Sequence, residues 1–154
     1  MSRTLTSEIK IQASPQTVWA VLTDFPAYPE WNPIEIQMEG EPIAGTVLHH
    51  TSKLPGRKPR RFSPTIVAAE PGRVLAWEGR ILAPGLFDVH HRFELSPTSG
   101  DATTLCQSER FSGVLIPFFA KTLRQTQVAF ETANQAIKSR SESIASAKTQ
   151  GSGP

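Results

Sequence analysis

The sequence predicts an α+β domain in which a curved antiparallel sheet of seven strands wraps around one long C-terminal helix. Three observations lead there. Stretches with a period of two recur between Leu5 and Phe111, separated by turns that use many of the chain's 13 prolines and 10 glycines. A helix start, Ser14-Pro15, follows the first of them. Finally, Ile116, Phe119, Leu123, Thr126, Phe130, Ala133 and Ile137 form one stripe of a long amphipathic helix, and that stripe must find a partner.

Leu5 to Gln12 alternates, with Leu5, Ser7, Ile9 and Ile11 on one face and Thr6, Glu8, Lys10 and Gln12 on the other, as in a half-buried strand. Ser14 is a helix-capping residue and Pro15 suits the first helical position. Val18, Trp19, Leu22 and Phe25 continue at helical spacing until Pro26. Ala27 to Pro33 is too proline-rich for more than a short helical turn. Strands are expected at Ile34–Glu39, Thr46–Leu54, Arg61–Glu70, Arg73–Leu82, Leu86–Leu95 and Ala102–Phe111, an antiparallel meander. The last helix is expected from about Val114 to beyond Ile137, with Pro117 confined to its first turn. Residues 1–140 then form a single domain, and the Ser- and Gly-rich residues 141–154 a tail expected to fray.

Composition narrows the function classes. At 154 residues the chain is one domain, by the usual roughly 100–200 residues each. Sixteen Lys and Arg against 14 Asp and Glu give a net charge of +2, too balanced for a dedicated nucleic-acid binder. The single Cys106 excludes an internal disulfide and any Cys-rich zinc module. Residues 1–10 lack the apolar stretch of a secretory peptide, and no run approaches the roughly 20 residues that span a bilayer. A cytoplasmic protein without stable membrane insertion is expected. Nucleotide-binding, dinucleotide-binding, zincin and hydrolase motifs are absent, so no cofactor is expected. No pattern specifies an oligomeric state.

Several segments together resemble a known family. They are Ser14-Pro15 with Val18-Trp19, Pro29-Glu30-Trp31-Asn32-Pro33, Phe62-Ser63-Pro64-Thr65, Glu70-Pro71-Gly72-Arg73, Trp77-Glu78-Gly79, His91-Arg92-Phe93-Glu94-Leu95 and Ser108-Glu109-Arg110-Phe111-Ser112-Gly113. Over about residues 3–140 the chain resembles the helix-grip fold of the SRPBCC superfamily, which joins birch-pollen allergen, START-type lipid-transfer domains and polyketide cyclases. Within it, the branch described as polyketide cyclase/dehydrase and lipid transport is the most similar. The resemblance implies a cavity between the sheet and the long helix.

Strand phase states what faces that cavity. Phe87, Val89, His91, Phe93 and Leu95 share one face of their strand, Leu75, Trp77, Gly79 and Ile81 that of another, and Thr103, Leu105, Gln107, Glu109 and Phe111 that of the last. A mostly apolar wall thus carries three polar groups, His91, Gln107 and Glu109, as small-molecule sites do. His91 and Glu109 are candidates for general acid–base catalysis, or else structural polar groups that bond each other or the backbone. Trp31, placed by resemblance near the entrance, and Phe119, sent inward by the helical stripe, complete the candidate ligand contacts with Trp77, Phe87, Val89 and Phe93. Phe118 is a candidate for closing one end.

Other residues are weighed against bland alternatives. In each of the pairs His49-His50 and His90-His91 the two rings face opposite sides of a strand, so neither pair chelates a metal alone. One histidine from each pair could meet across the cavity, with Glu109 as a third ligand, but no metal is expected. Cys106 falls in the outward phase and reads as an inert thiol. Lys53, Arg57, Lys58, Arg60 and Arg61 form either an anion-attracting hairpin or a solvated loop. The leading expectation is binding of a small hydrophobic molecule, lipid- or polyketide-like. The alternatives are a cyclase, aromatase or dehydratase that uses His91 and Glu109, and a protein-interaction module with a collapsed cavity.

Overall fold

The computed structural model describes residues 1–151. Strand β1 (Ser2–Ile11) leads into helix α1 (Pro15–Thr23), a 3-10 turn at Phe25–Ala27 and the single-turn α2 (Tyr28–Trp31). The Ser14 hydroxyl caps α1 by accepting from Thr17 N at 3.2 Å. Strands β2 (Glu35–Glu39), β3 (His49–Ser52), β4 (Arg60–Phe62), β5 (Thr65–Glu70), β6 (Val74–Arg80), β7 (Asp88–Thr98) and β8 (Ala102–Ser112) follow, and helix α3 (Ala120–Gly151) ends the described chain.

All pairings are antiparallel. Five strands make one sheet in the order β1-β8-β7-β6-β5, and β2-β3-β4 make a second. The two sheets are stitched beside β5: Leu48 N donates to Pro64 O at 2.8 Å and Ile66 N to Thr46 O at 2.9 Å. Among the described residues eight strands stand where seven were expected, because Arg61–Glu70 divides at Ser63-Pro64. Pro64 has no N–H to continue a ladder, so β4 stays with β3 while β5 turns to β6.

The last helix also departs from expectation at both ends. Pro117 falls in a 3-10 turn, Ile116–Phe119, and α3 proper starts only at Ala120. Before that turn, Gly113 sits at φ +133°, and a Cβ there would lie 2.3 Å from Leu86 O, so only glycine fits. At the other end α3 runs through Gly151, so residues 141–151 continue the helix and residues 152–154 lie outside the described chain. The extension is tied down. Ser141 is fully buried, Glu142 accepts from Gln12 N at 2.9 Å, and Ala145 packs on the main core.

That core lies between the concave sheet, α1 and α3, and includes Ile11, Leu22, Phe25, Leu75, Leu105 and Ile137. Phe87, Phe111, Ile116 and Leu123 form a second cluster near the start of α3. Ile34, Ala129 and Ala133, with Leu54, pin the small sheet to the helix.

Candidate functional site

The alternation of β6, β7 and β8 places Trp77, His91 and Glu109 side by side, since Trp77 pairs with His91 and His91 with Glu109. Phe93 and Gln107 form the adjacent row. All five face inward under α3. The His91 ring stacks on Trp77 with centroids 4.7 Å apart and planes 7° apart, and meets Phe130 of α3 edge-on at 5.4 Å. Phe93 packs on both rings, 4.7 Å from His91 and 5.7 Å from Trp77. These rings close on one another between the sheet and α3.

His91 Nδ1 lies 3.4 Å from Glu109 Oε1, with the two side chains 8% and 14% exposed. Its other nitrogen, Nε2, is 3.2 Å from Gln107 Nε2. With the amide donating, the imidazole proton sits on Nδ1, toward Glu109. Gln107 Oε1 is then left buried, with no hydrogen-bond partner among the described residues. Protonating His91 at Nε2 would require the amide to rotate, turning its NH2 to the interior in place of its oxygen.

A second polar group, outside the candidate ligand contacts read from the sequence, lies on the far side of Trp77. His50 of β3 is buried, 5.9 Å from Trp77 and 5.4 Å from Phe62. Its Nδ1 meets Glu35 Oε2 at 2.7 Å, and Ser52 Oγ donates to Glu35 Oε1 at 2.5 Å. Burial pushes the Glu35 carboxyl up, but the His50 charge and bond, the Ser52 bond and the more distant His91 outweigh it and hold it below the usual range. Burial likewise opposes the His50 charge, yet Glu35, then Glu109, raise its pKa overall. The charges of His50 and Glu35 therefore favour one another, and each also feels the His91–Glu109 pair across Trp77.

Glu35 was hidden by its strand phase. Ile34, Ile36 and Met38 alternate as an inward set, which sends Glu35 outward. The register with β3 shifts between Glu35 and Gln37, and this bulge turns the carboxylate in toward His50.

The other candidates separate. Phe87, Val89 and Phe119 belong to the second cluster, with Phe87 4.7 Å from Phe119 and 5.7 Å from Phe111. Trp31 is half-buried against Tyr28 at 4.7 Å, at the α2 edge of the main core. Phe118 closes nothing: it is exposed. His49 bonds Ser63 at 2.8 Å and His90 bonds Glu78 at 2.9 Å, both outside the site. Cys106 faces outward between Glu8 and Glu94; burial and then these two carboxylates push its thiol up, away from the reactive thiolate. Among the described residues no group of three or more His, Cys, Asp or Glu is placed to hold a metal ion. Two surface grooves, of about 420 and 620 Å³, border α3 from outside and are lined by neither His91 nor Glu35.

The sequence profile of the family described as polyketide cyclase / dehydrase and lipid transport matches residues 2–142. The chain belongs to this family. No curated protein matches it. Among solved structures, a START superfamily protein from Mycobacterium smegmatis is 19% identical, with 92% of this chain and 98% of that chain covered and a TM-score of 0.71. The Zhui aromatase/cyclase from Streptomyces sp. R1128 is 16% identical, with 97% and 96% covered and a TM-score of 0.70. A norcoclaurine synthase point mutant from Thalictrum flavum, in complex with a transition-state analogue, is 16% identical, with 94% and 97% covered and a TM-score of 0.71. At these identities the likeness is one of fold. The family and these neighbours make the chain a helix-grip protein, and among the described residues no helix is long and apolar enough to cross a membrane.

Proposed function

We propose that the chain binds a small hydrophobic molecule between the concave sheet and α3. Trp77, Phe93 and Phe130 are its walls, and His91, Gln107 and Glu109 its polar floor. Phe87, Val89 and Phe119 extend the apolar surface toward the start of α3, and Trp31 borders it at α2. The ligand enters by parting rings that otherwise rest on one another. The observation that carries this reading is Gln107 Oε1, a buried acceptor without a partner among the described residues. Such a group costs about 1–3 kcal/mol until a donor reaches it, and a ligand hydroxyl supplies one.

A matched pair of probes tests it. Naphthol and methylnaphthalene share shape and apolar area, but only the first donates a hydrogen bond. Titrations should show naphthol binding about tenfold tighter, an advantage of about 1.4 kcal/mol, and Gln107→Met should abolish that advantage while methylnaphthalene affinity stays level. Equal binding of both probes by the native protein would remove the polar floor from the proposal. Failure of both to bind would favour an interaction module whose interior stays closed.

The His91–Glu109 contact supports a second reading, proton transfer in a cyclase or dehydratase. In that case His91→Ala and Glu109→Gln should lower turnover of polyketide-like substrates by about 10²–10⁴ while leaving affinity nearly intact. In a simple binder the same changes alter affinity by about 0.5–1.5 kcal/mol and there is no turnover to lose.

A further inference from the structure

The four most exposed large apolar side chains of the described residues, Met1, Leu82, Val114 and Phe118, gather at one end of the molecule. Two loops bring them there. Val114 N donates to Gly85 O at 3.2 Å and Leu115 N to Leu86 O at 3.1 Å, which joins the β6–β7 loop to the segment before α3. Gly113 N donates to Met1 O at 3.1 Å, adding the start of β1. Phe118, 82% exposed, projects from the 3-10 turn that follows.

Basic charge flanks the same end. Arg57, in the hairpin between β3 and β4, donates through Nε to Gln125 Oε1 at 2.6 Å, which lays that hairpin along the first turns of α3. At 1.5 Å rise per residue, Gln125 is about 10 Å along the chain axis from Phe118. Lys53, Lys58, Arg60 and Arg61 on the hairpin, and Lys121 and Arg124 on α3, are exposed. Segments 53–61, 81–87 and 113–130 hold seven of the chain's 16 basic residues and none of its 14 acidic ones. The remainder holds nine basic and 14 acidic residues, so a net charge of +2 conceals a strongly polarised molecule. Asp88, which borders these loops, is engaged by Gly85 N at 2.9 Å and lies 3.7 Å from Arg80.

We infer that this end docks reversibly on an anionic lipid surface. Aliphatic and phenyl tips flanked by Lys and Arg match the bilayer interface, where apolar groups enter the headgroup boundary and cations meet anionic lipids. A nucleic acid would use the charges but leave Leu82, Val114 and Phe118 in water, and no aromatic side chain interleaves with the basic hairpin to stack on bases. Docking here sets the Phe87–Phe119 cluster beside the lipid, and it does not depend on what the interior binds.

Co-sedimentation with vesicles tests the inference. The full chain should bind mixed phosphatidylglycerol–phosphatidylcholine vesicles, bind pure phosphatidylcholine weakly, and release as salt rises. Each basic residue at such a surface contributes about fivefold, so Lys58→Gln with Arg60→Gln should weaken binding about 25-fold. Phe118→Ser should weaken it about tenfold by removing the inserted ring. These side chains are exposed, and unchanged circular dichroism and melting would show that the variants fold. Absence of binding to the anionic vesicles overturns the inference. So does binding that Phe118→Ser leaves unaltered, or a preference for a single-stranded oligonucleotide over vesicles, since either describes a general polyanion surface.

Discussion

Glu35 and His50 share one buried contact, so each sets the other's titration. The His50 pKa is raised above the ordinary 6.5, so its contribution to stability is complete below that value and is lost as pH rises through the folded one. The Glu35 pKa is lowered below 4.5, so its contribution is complete above 4.5 and is lost as pH falls through the folded value. The pair therefore stabilises most between about pH 4.5 and 6.5. Urea unfolding should show a midpoint that falls from pH 6 toward pH 9, and His50→Gln should flatten this fall. At pH 6 the substitution should cost about 3 kcal/mol, the low end for breaking a buried pair, because Glu35 is still 22% exposed and keeps Ser52. An alkaline fall that persists unchanged in His50→Gln would assign it to another group. The site at this scale is two carboxylate–imidazole pairs separated by one indole.

At the scale of elements, α3 closes the site from above. Its inward stripe is buried at Leu123, Thr126, Phe130, Ala133 and Ile137, so the spacing of 3 and 4 is realised in contact with the sheet. Phe130 has the added role of an edge-on wall for His91. Phe130→Ala should lower stability by about 3–5 kcal/mol, since it removes a ring from a packed interior. Gln127, one turn away, is half-buried on the flank of the helix and only donates to Thr6 O at 3.2 Å. Gln127→Ala should therefore stay within about 0.5 kcal/mol. Denaturant midpoints of the two variants check the phase, and equal losses would mean that the helix is rotated from this placement.

For the whole molecule, α3 acts as a strap that reaches past the sheet. Residues 141–151 look like a solvated tail by composition, yet Glu142 bonds both Gln12 N at 2.9 Å and Lys138 Nζ at 2.6 Å, and Ala145 adds apolar contact. Truncation after Arg140 should therefore lower stability by about 2–3 kcal/mol, from one lost backbone partner, one ion pair and the apolar area of the last turns. Calorimetry of the truncated chain checks this, and an unchanged melting temperature would make the extension dispensable. The charge distribution is another whole-molecule property, since the basic hairpin and the start of α3 are about 70 residues apart and only the fold joins them.

Part of this protein was legible in the order of its residues. The period of two in β7 and β8 put His91, Gln107 and Glu109 on one face, because side-chain direction along a regular strand follows from the backbone alone. The stripe of α3 was legible for the same reason, with a period of 3.6. The division of one long strand at Ser63-Pro64 was half visible, since Pro64 marks the break but does not say that the two halves join different sheets. Glu35 was not legible. Its turn inward depends on a bulge, which is a mismatch between two strands and is decided by the partner, so no period within β2 encodes it. The pairing of His50 with Glu35, the nearness of both to His91 and Glu109, and the single basic-and-apolar end are likewise products of distant segments meeting. Local periodicity determined which residues of the regular strands and of α3 face inward; tertiary pairing decided the bulge that turns Glu35 and which inward residues meet.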